Sequence, residues 1–169
     1  MGYPQLFLDQ LEAWGAPRAK PWPRWAQHDD SNAVTIDHSA WNAYLKTYLR
    51  SSFEDGQNLM VYAHVSDADR ARLDAYVNAL GAIAISTYSR AEQLAYWINL
   101  YNARTVQLIL TYLPIDSITQ IRLTPGSLAR GPWSKKILVI EGEALSLNDI
   151  EHRIVRPIWR DCRVHYAFN

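Results

Sequence analysis

Apolar side chains recur three and four residues apart along several stretches of the chain, which predicts a mainly helical protein. A short helix over residues 5–14 comes first. A second helix can be capped by Asp37 or Ser39, and a third starts at Ser66, with Asp69 three residues later as in a capping box. The apolar residues that would face inward are Trp41, Tyr44, Leu45, Tyr48 and Leu49 in the second helix and Leu73, Tyr76, Val77 and Leu80 in the third.

The strongest local signal is a long helix that starts at a capping box formed by Ser89 and Glu92 and continues to about Tyr112. Its wide apolar stripe, which predicts a central and largely buried helix, consists of Leu94, Trp97, Ile98, Tyr101, Thr105, Leu108 and Ile109. Asn99 and Asn102 interrupt this stripe on one side of the helix. Because a buried amide is costly unless it is paired, these two residues either bond to neighbouring backbone or form a site.

The remaining elements are predicted in the second half of the chain. Residues 136–145 alternate around Gly142, which predicts a β-hairpin with this glycine in the turn. A capped helix is predicted over residues 147–156, with Pro157 as its end. Residues 163–169 alternate in apolar and polar side chains and predict a C-terminal strand. We therefore expect an α+β fold dominated by helices, with a small antiparallel sheet formed by the hairpin and the C-terminal strand.

Residues 1–58 are predicted to form N-terminal helices and a strap rich in proline and tryptophan, whose indoles pack on the rest of the molecule. Residues 59–65 are a short apolar run that fits a strand or a buried connection. Residues 59–169 would then be the core, and both parts are expected to belong to one domain.

Charge and composition exclude several classes of partner. The chain has 17 Lys and Arg against 17 Asp and Glu, with the basic residues scattered, so no nucleic-acid partner is predicted. The longest apolar run, residues 79–85, is far too short for a membrane span. The start of the chain lacks the features of a signal peptide, although export after removal of one stays open. No metal or cofactor is predicted, because paired histidines at zinc spacing and glycine-rich phosphate loops are absent from the sequence.

Three ordered motifs resemble the signatures of the bacterial-type family known as domain of unknown function 547. The first is Glu92-Gln-Leu-Ala-Tyr-Trp-Ile-Asn-Leu-Tyr-Asn-Ala103, the second is Leu145-Ser-Leu-Asn-Asp-Ile-Glu-His-Arg-Ile154, and the third is Arg163-Val-His-Tyr-Ala-Phe-Asn169. The resemblance covers roughly residues 59–169. It implies that the third motif continues into a Cys-Ala-Ser segment, which would follow Asn169.

That expected cysteine is not Cys162, which precedes the third motif and has the character of an ordinary small residue. Two explanations of the end at Asn169 stay open: a truncated or fragmentary chain, and self-cleavage at an Asn-Cys bond that leaves an N-terminal cysteine on a second chain. In either case we expect the C-terminal remainder of the protein to dock against the predicted terminal strand, because an unpaired strand exposes a sheet edge.

A cysteine beside His, Asn and Glu implies a thiol-dependent hydrolase or acyl-transfer domain, with papain- or transglutaminase-like chemistry as the nearest analogue. His152 or His165 would be the base, and Glu151 or Glu92 would orient it or stabilise its charged form. His152 also shares a helix face with Asn148. The residues expected to bind substrate are Asn99, Asn102, Trp97, Tyr101 and Asn148.

The alternative is a non-catalytic module that binds a small molecule or a peptide in a groove between aromatic-rich helices. The two hypotheses differ in geometry. In an enzyme the histidines should converge with Asn99, Asn102 and the position of the expected cysteine in one cleft, whereas scattered positions favour the module.

Overall fold

The computed structural model describes residues 20–51, 58–123 and 131–168, so the predicted helix over residues 5–14 lies outside the described part. Three long helices follow one another along the chain: α1 (Ser39–Tyr48), α2 (Asp67–Gly81) and α3 (Arg90–Tyr112). All three were predicted from the sequence, and they pack around one apolar core. In the described ranges, no helix is long and apolar enough to cross a membrane.

Helix α3 lies at the centre of this core. The Ser89 hydroxyl caps it by accepting a hydrogen bond from the Glu92 backbone, as the capping box predicts. Tyr96, Trp97 and Leu100 are all at most 1% exposed, and Tyr96 donates its hydroxyl hydrogen to the carbonyl oxygen of α2 at Leu80 over 3.0 Å. Truncation of a buried side chain as large as Trp97 to alanine typically costs roughly 3–5 kcal/mol of stability.

Hydrogen bonds connect the end of α1 to the start of α2. The Ser66 hydroxyl accepts a hydrogen bond from the backbone N–H of Asp69, which confirms the predicted cap. The Tyr48 hydroxyl, on the last turn of α1, donates to the Asp69 carboxylate over 2.6 Å. The same carboxylate therefore completes the cap of α2 and fixes the end of α1.

Two antiparallel ribbons complete the β-structure, and their strands are β1 (Leu49–Ser51), β2 (Asn58–Met60), β3 (Leu138–Ile140) and β4 (Glu143–Leu145). The second ribbon is the predicted hairpin. Its two turn residues, Glu141 and Gly142, have φ angles of 47° and 80°, which is the left-handed pair that a two-residue hairpin turn requires. Within residues 59–65 only the first two continue a strand, and Tyr62–His64 forms a 3₁₀ turn.

The predicted C-terminal strand is wrong. Residues Val164–Ala167 form a short helix, α5, although their side chains alternate as in a strand. The reason lies in the contacts of this segment: Asp161 accepts a hydrogen bond from the Arg163 backbone and starts a helical turn, and no strand of the described residues lies beside the segment to pair with it. A partner segment cannot therefore dock on a terminal strand in this part of the chain.

The helix before α5 is longer than predicted and irregular. Its central segment Asp149–Val155 is a π-helix, with i→i+5 hydrogen bonds, and it continues directly into α4 (Arg156–Trp159). Pro157 does not end the helix as the sequence predicted. It lies in the first turn of α4, where its nitrogen needs no acceptor, and the helix ends at Arg160 with a φ of 51°.

The strap around Trp22 and Trp25 packs on the body of the protein, as its composition predicts. The backbone N–H groups of Lys20 and Trp22 donate to the carbonyl oxygens of His152 and Arg153 over 3.1 and 3.0 Å. Trp25 is 2% exposed. The strap thereby holds the π-helical segment in place from outside.

We expect Gln93→Leu to lower the free energy of unfolding by about 1–3 kcal/mol. Gln93 is 2% exposed, its side-chain nitrogen donates to the carbonyl oxygens of Gln27, Ile85 and Tyr88, and its side-chain oxygen accepts from Arg90, so a leucine removes all of these hydrogen bonds. Urea unfolding measures the change. The exposed Gln120→Leu is the control, with an expected change within about 0.5 kcal/mol, and an equal effect of both variants would contradict the prediction.

Candidate functional site

One carboxylate, that of Glu151, lies at the centre of a cluster of basic side chains. Its oxygen atoms are 3.9 Å from His152 Nε2, 3.8 Å from His165 Nδ1 and 3.9 Å from Arg156 Nη1. The Glu151 side chain is 13% exposed. An uncompensated charge at such a position is costly, and the Arg156 guanidinium supplies a positive charge close to this carboxylate.

The π-helical segment positions Glu151 and His152, which are neighbours in sequence. The segment is anchored at its start by Asp149, which accepts hydrogen bonds from Lys136, Ser146 and Arg153. Burial raises the pKa of Asp149, but these hydrogen bonds outweigh it and lower the pKa to about 2. Asp149 therefore stays charged and gives the irregular helix a fixed origin.

Both ring nitrogens of His152 lie close to a charged side chain. Arg156 Nη1 donates to His152 Nδ1 over 3.2 Å, and since a guanidinium can only donate, Nδ1 is the nitrogen without a proton. The proton of the neutral ring is then on Nε2, which faces Glu151. Burial lowers the pKa of His152, and the positive charges of Arg156 and His165 lower it further against the opposing effect of Glu151. His152 is thus a neutral imidazole whose Nε2 lies 3.9 Å from the carboxylate, beyond hydrogen-bond distance.

His165 has the complementary arrangement. Its side chain is 69% exposed, its Nδ1 faces the Glu151 carboxylate, and its Nε2 has no partner among the described residues. A carboxylate on one ring nitrogen and an open second nitrogen is the arrangement of a general base. Of the two histidines singled out by the sequence, His165 is the one whose free nitrogen can reach an external proton.

Helix α3 holds α5, and with it His165, against the cluster. The Asn102 side chain donates to the Ala167 carbonyl oxygen over 2.8 Å, and the rings of Tyr101 and Phe168 pack with centroids 4.6 Å apart. Burial and the nearby Glu151 charge raise the pKa of Tyr101, against a hydrogen bond from Trp133, so its hydroxyl remains protonated.

The other residues singled out by the sequence lie apart from this cluster. Glu92 accepts a hydrogen bond from the Ile36 backbone over 3.0 Å and so connects the segment before α1 to α3. Trp97 is 1% exposed and belongs to the core. The Asn148 side chain donates to the Ser134 hydroxyl, and this contact gives it no role in binding a ligand. Asn99 lines a separate groove, which also includes Asn102.

Two residues of interest were missed by the sequence reading. Arg156 belongs to the cluster, and its position four residues after His152 on a helix is a signal that could have found it. His38 accepts or donates a 2.6 Å hydrogen bond with the Tyr76 hydroxyl next to Glu92, and its place between strap and α1 carries no local signal. In residues 20–51, 58–123 and 131–168, no three His, Cys, Asp or Glu side chains converge as metal ligands.

The fold and the cluster define a mainly helical α+β domain in which one carboxylate aligns two imidazoles and a guanidinium. The chain belongs to the family described as protein of unknown function, DUF547, whose model matches residues 85–169. This range contains α3, the hairpin, the π-helical segment and α5, and the match confirms the family to which the three motifs are similar. No curated protein and no solved structure matches the chain significantly.

We expect the stability of the protein to fall as the pH drops from about 7 to about 5, in part because of His152. Its folded-state pKa is below the ordinary value of 6.5, so the unfolded chain takes up the proton first and is stabilised relative to the folded state. His152→Gln should reduce the slope of unfolding free energy against pH, measured by denaturant titration.

The exposed His64→Gln is the matched control and should retain the full slope. Burial lowers the pKa of His38 as well, and this histidine contributes equally in both variants. An unchanged slope in His152→Gln would show that His152 is not held neutral by its surroundings.

Proposed function

We propose that this chain carries the acid–base part of a cysteine-dependent hydrolase or acyl transferase, with His165 as the general base and Glu151 as the residue that orients it. The single observation that supports this function is the His165 imidazole, aligned by the Glu151 carboxylate through Nδ1 and open at Nε2. The nucleophile is the cysteine that the family resemblance implies immediately after Asn169. Its position near α5 would bring it next to His165.

In the proposed reaction His165 Nε2 takes the proton from the cysteine thiol, and the thiolate attacks the carbonyl carbon of an acyl substrate. A C–S bond forms and the carbonyl π electrons move to oxygen. When this tetrahedral intermediate collapses, the C–N or C–O bond to the leaving group breaks, and His165 returns its proton to that group. Water then attacks the thioester with His165 again as base, and the thiol is regenerated.

Glu151 stabilises the imidazolium that forms in each step, and Arg156 and His152 hold Glu151 in position. The Nδ1–carboxylate distance of 3.8 Å is longer than a hydrogen bond, which is common for catalytic pairs before substrate binds. Asn102 acts by positioning α5 through the Ala167 carbonyl oxygen, and Asn99 lies in the neighbouring groove rather than in the cluster. The segment after Asn169 is then a partner for α5 rather than for a strand.

Thiol reactivity tests this assignment in the protein expressed from its complete natural reading frame. We expect the cysteine after Asn169 to react with iodoacetamide at pH 6 at least about tenfold faster than Cys162, because a neighbouring His165 and Glu151 favour its thiolate. Peptide mass spectrometry measures both rates in the same sample, and the exposed Cys162 is the internal control.

His165→Asn and Glu151→Gln should each remove this difference, whereas His28→Asn, on an exposed histidine of the strap, should leave it intact. Equal reactivity of the two cysteines in the natural protein would overturn the proposal. In that case the non-catalytic binding module becomes the better explanation of the same polar residues, since the groove beside Asn99 exists without any nucleophile.

A further inference from the structure

A groove of about 520 Å³ runs between α1, the first β-ribbon and α3, outside the Glu151 cluster. This volume is in the range of ligand-binding clefts. The groove is lined by Trp41, Leu45, Leu49, Asn58, Leu59, Met60, Tyr62, Asn99, Asn102, Thr105, Val106, Ile109 and Ile118.

No Asp, Glu, Lys or Arg is among these lining residues, although 20% of the chain is charged. Among the described residues, the polar groups that line the groove are carboxamides and hydroxyls. A charged ligand would lose its hydration there without gaining a counter-charge, which is unfavourable. The lining therefore selects an uncharged ligand with apolar side groups.

Asn99 gives the groove a specific polar contact. Its side chain is half-buried on the apolar stripe of α3, and among the described residues its carboxamide has no hydrogen-bond partner. Thr105, further along the same face, already donates to the Tyr101 carbonyl oxygen over 2.9 Å. One carboxamide offers an acceptor and donors side by side, which matches the N–H and C=O of a peptide group.

A purely apolar ligand would cover the Asn99 amide without pairing it, and this costs about 1–3 kcal/mol. A peptide would satisfy the amide and place its side chains against leucine, valine and isoleucine. The groove also reaches Asn102, whose side chain bonds to Ala167 in the helix that carries His165. A peptide in the groove would thus extend toward the cluster.

We propose that the groove binds an extended, uncharged peptide segment with apolar side chains, and that the Asn99 carboxamide pairs with one of its peptide groups. As a statement of substrate class, this rests on the proposed hydrolase function. The binding itself is a property of the chain from Met1 to Asn169 and can be measured without catalysis.

The first test uses end-capped tetrapeptides with the full 169-residue chain: acetyl-Leu-Ala-Leu-Ala-amide and analogues with Glu or Lys in place of both leucines. Titration followed by NMR, with the side-chain N–H signals of Asn99 as reporter, measures each affinity. We expect the neutral peptide to bind and both charged analogues to bind at least about tenfold more weakly. Equal affinities for the three peptides would overturn the proposal.

Two substitutions test the groove itself. Asn99→Leu should weaken binding of the neutral peptide about tenfold by removing two hydrogen bonds, whereas Asn42→Leu, on an exposed position of α1, should have no effect. Leu59→Lys adds a charge at the rim of the groove, at a side chain that is 57% exposed and can change without loss of folding. This substitution should weaken binding of the neutral peptide and strengthen binding of the Glu analogue.

Val139→Lys is the matched control for that charge, because it lies at a 63% exposed position of the other ribbon. Unchanged binding in Asn99→Leu, or equal effects of the two lysines, would contradict the groove as the binding site. Peptide binding together with an unreactive cysteine after Asn169 would refute the hydrolase proposal but support the groove as a peptide-binding site. A reactive cysteine without peptide binding would support the hydrolase proposal and refute the peptide-binding site.

Discussion

Helix α3 is largely buried, and other elements supply the hydrogen-bond partners of several of its polar side chains. Gln93 bonds to the backbone of the strap and of the turn before α3, and Gln107 donates to Asp74 on α2. Asn102 bonds to α5. The outer parts of the molecule are thus fixed to α3 at particular points, because an unpaired amide in the interior would cost more than the ordering of a loop.

A second constraint concerns charge rather than hydrogen bonding. The Glu151 carboxylate is largely enclosed, and His152, His165 and Arg156 surround it. The regular α-helix predicted for residues 147–156 would space these side chains differently. The π-helical turns change that spacing, and their extra residue per turn is tolerated because Asp149 holds the start of the segment through Lys136, Ser146 and Arg153.

The sequence predicted those features that depend on neighbours in the chain. The caps at Ser66 and Ser89 and the turn at Gly142 are set by residues within three or four positions, and the structure has each of them. The helical form of residues 164–167 follows from the turn at Asp161 and from the bond between Asn102 and Ala167, and the π-helical segment is held by the strap. The contacts with Asn102 and with the strap are distant in sequence. Periodicity carries no information about such contacts, so the predicted C-terminal strand and the predicted end at Pro157 were wrong.

Asn99 and Asn102 on α3 show how much of the site could be predicted from the sequence. Their place on an apolar stripe left two possibilities, a bond to neighbouring backbone or a role in a site, and no local property separates them. In the structure both amides line the groove, but Asn102 is also bonded to the Ala167 carbonyl oxygen at the end of α5, whereas Asn99, one turn earlier, has no such bond. A difference of one helical turn therefore separates a residue that positions the proposed base from one that is available to a ligand, and this assignment follows from what packs against each turn rather than from the residue type.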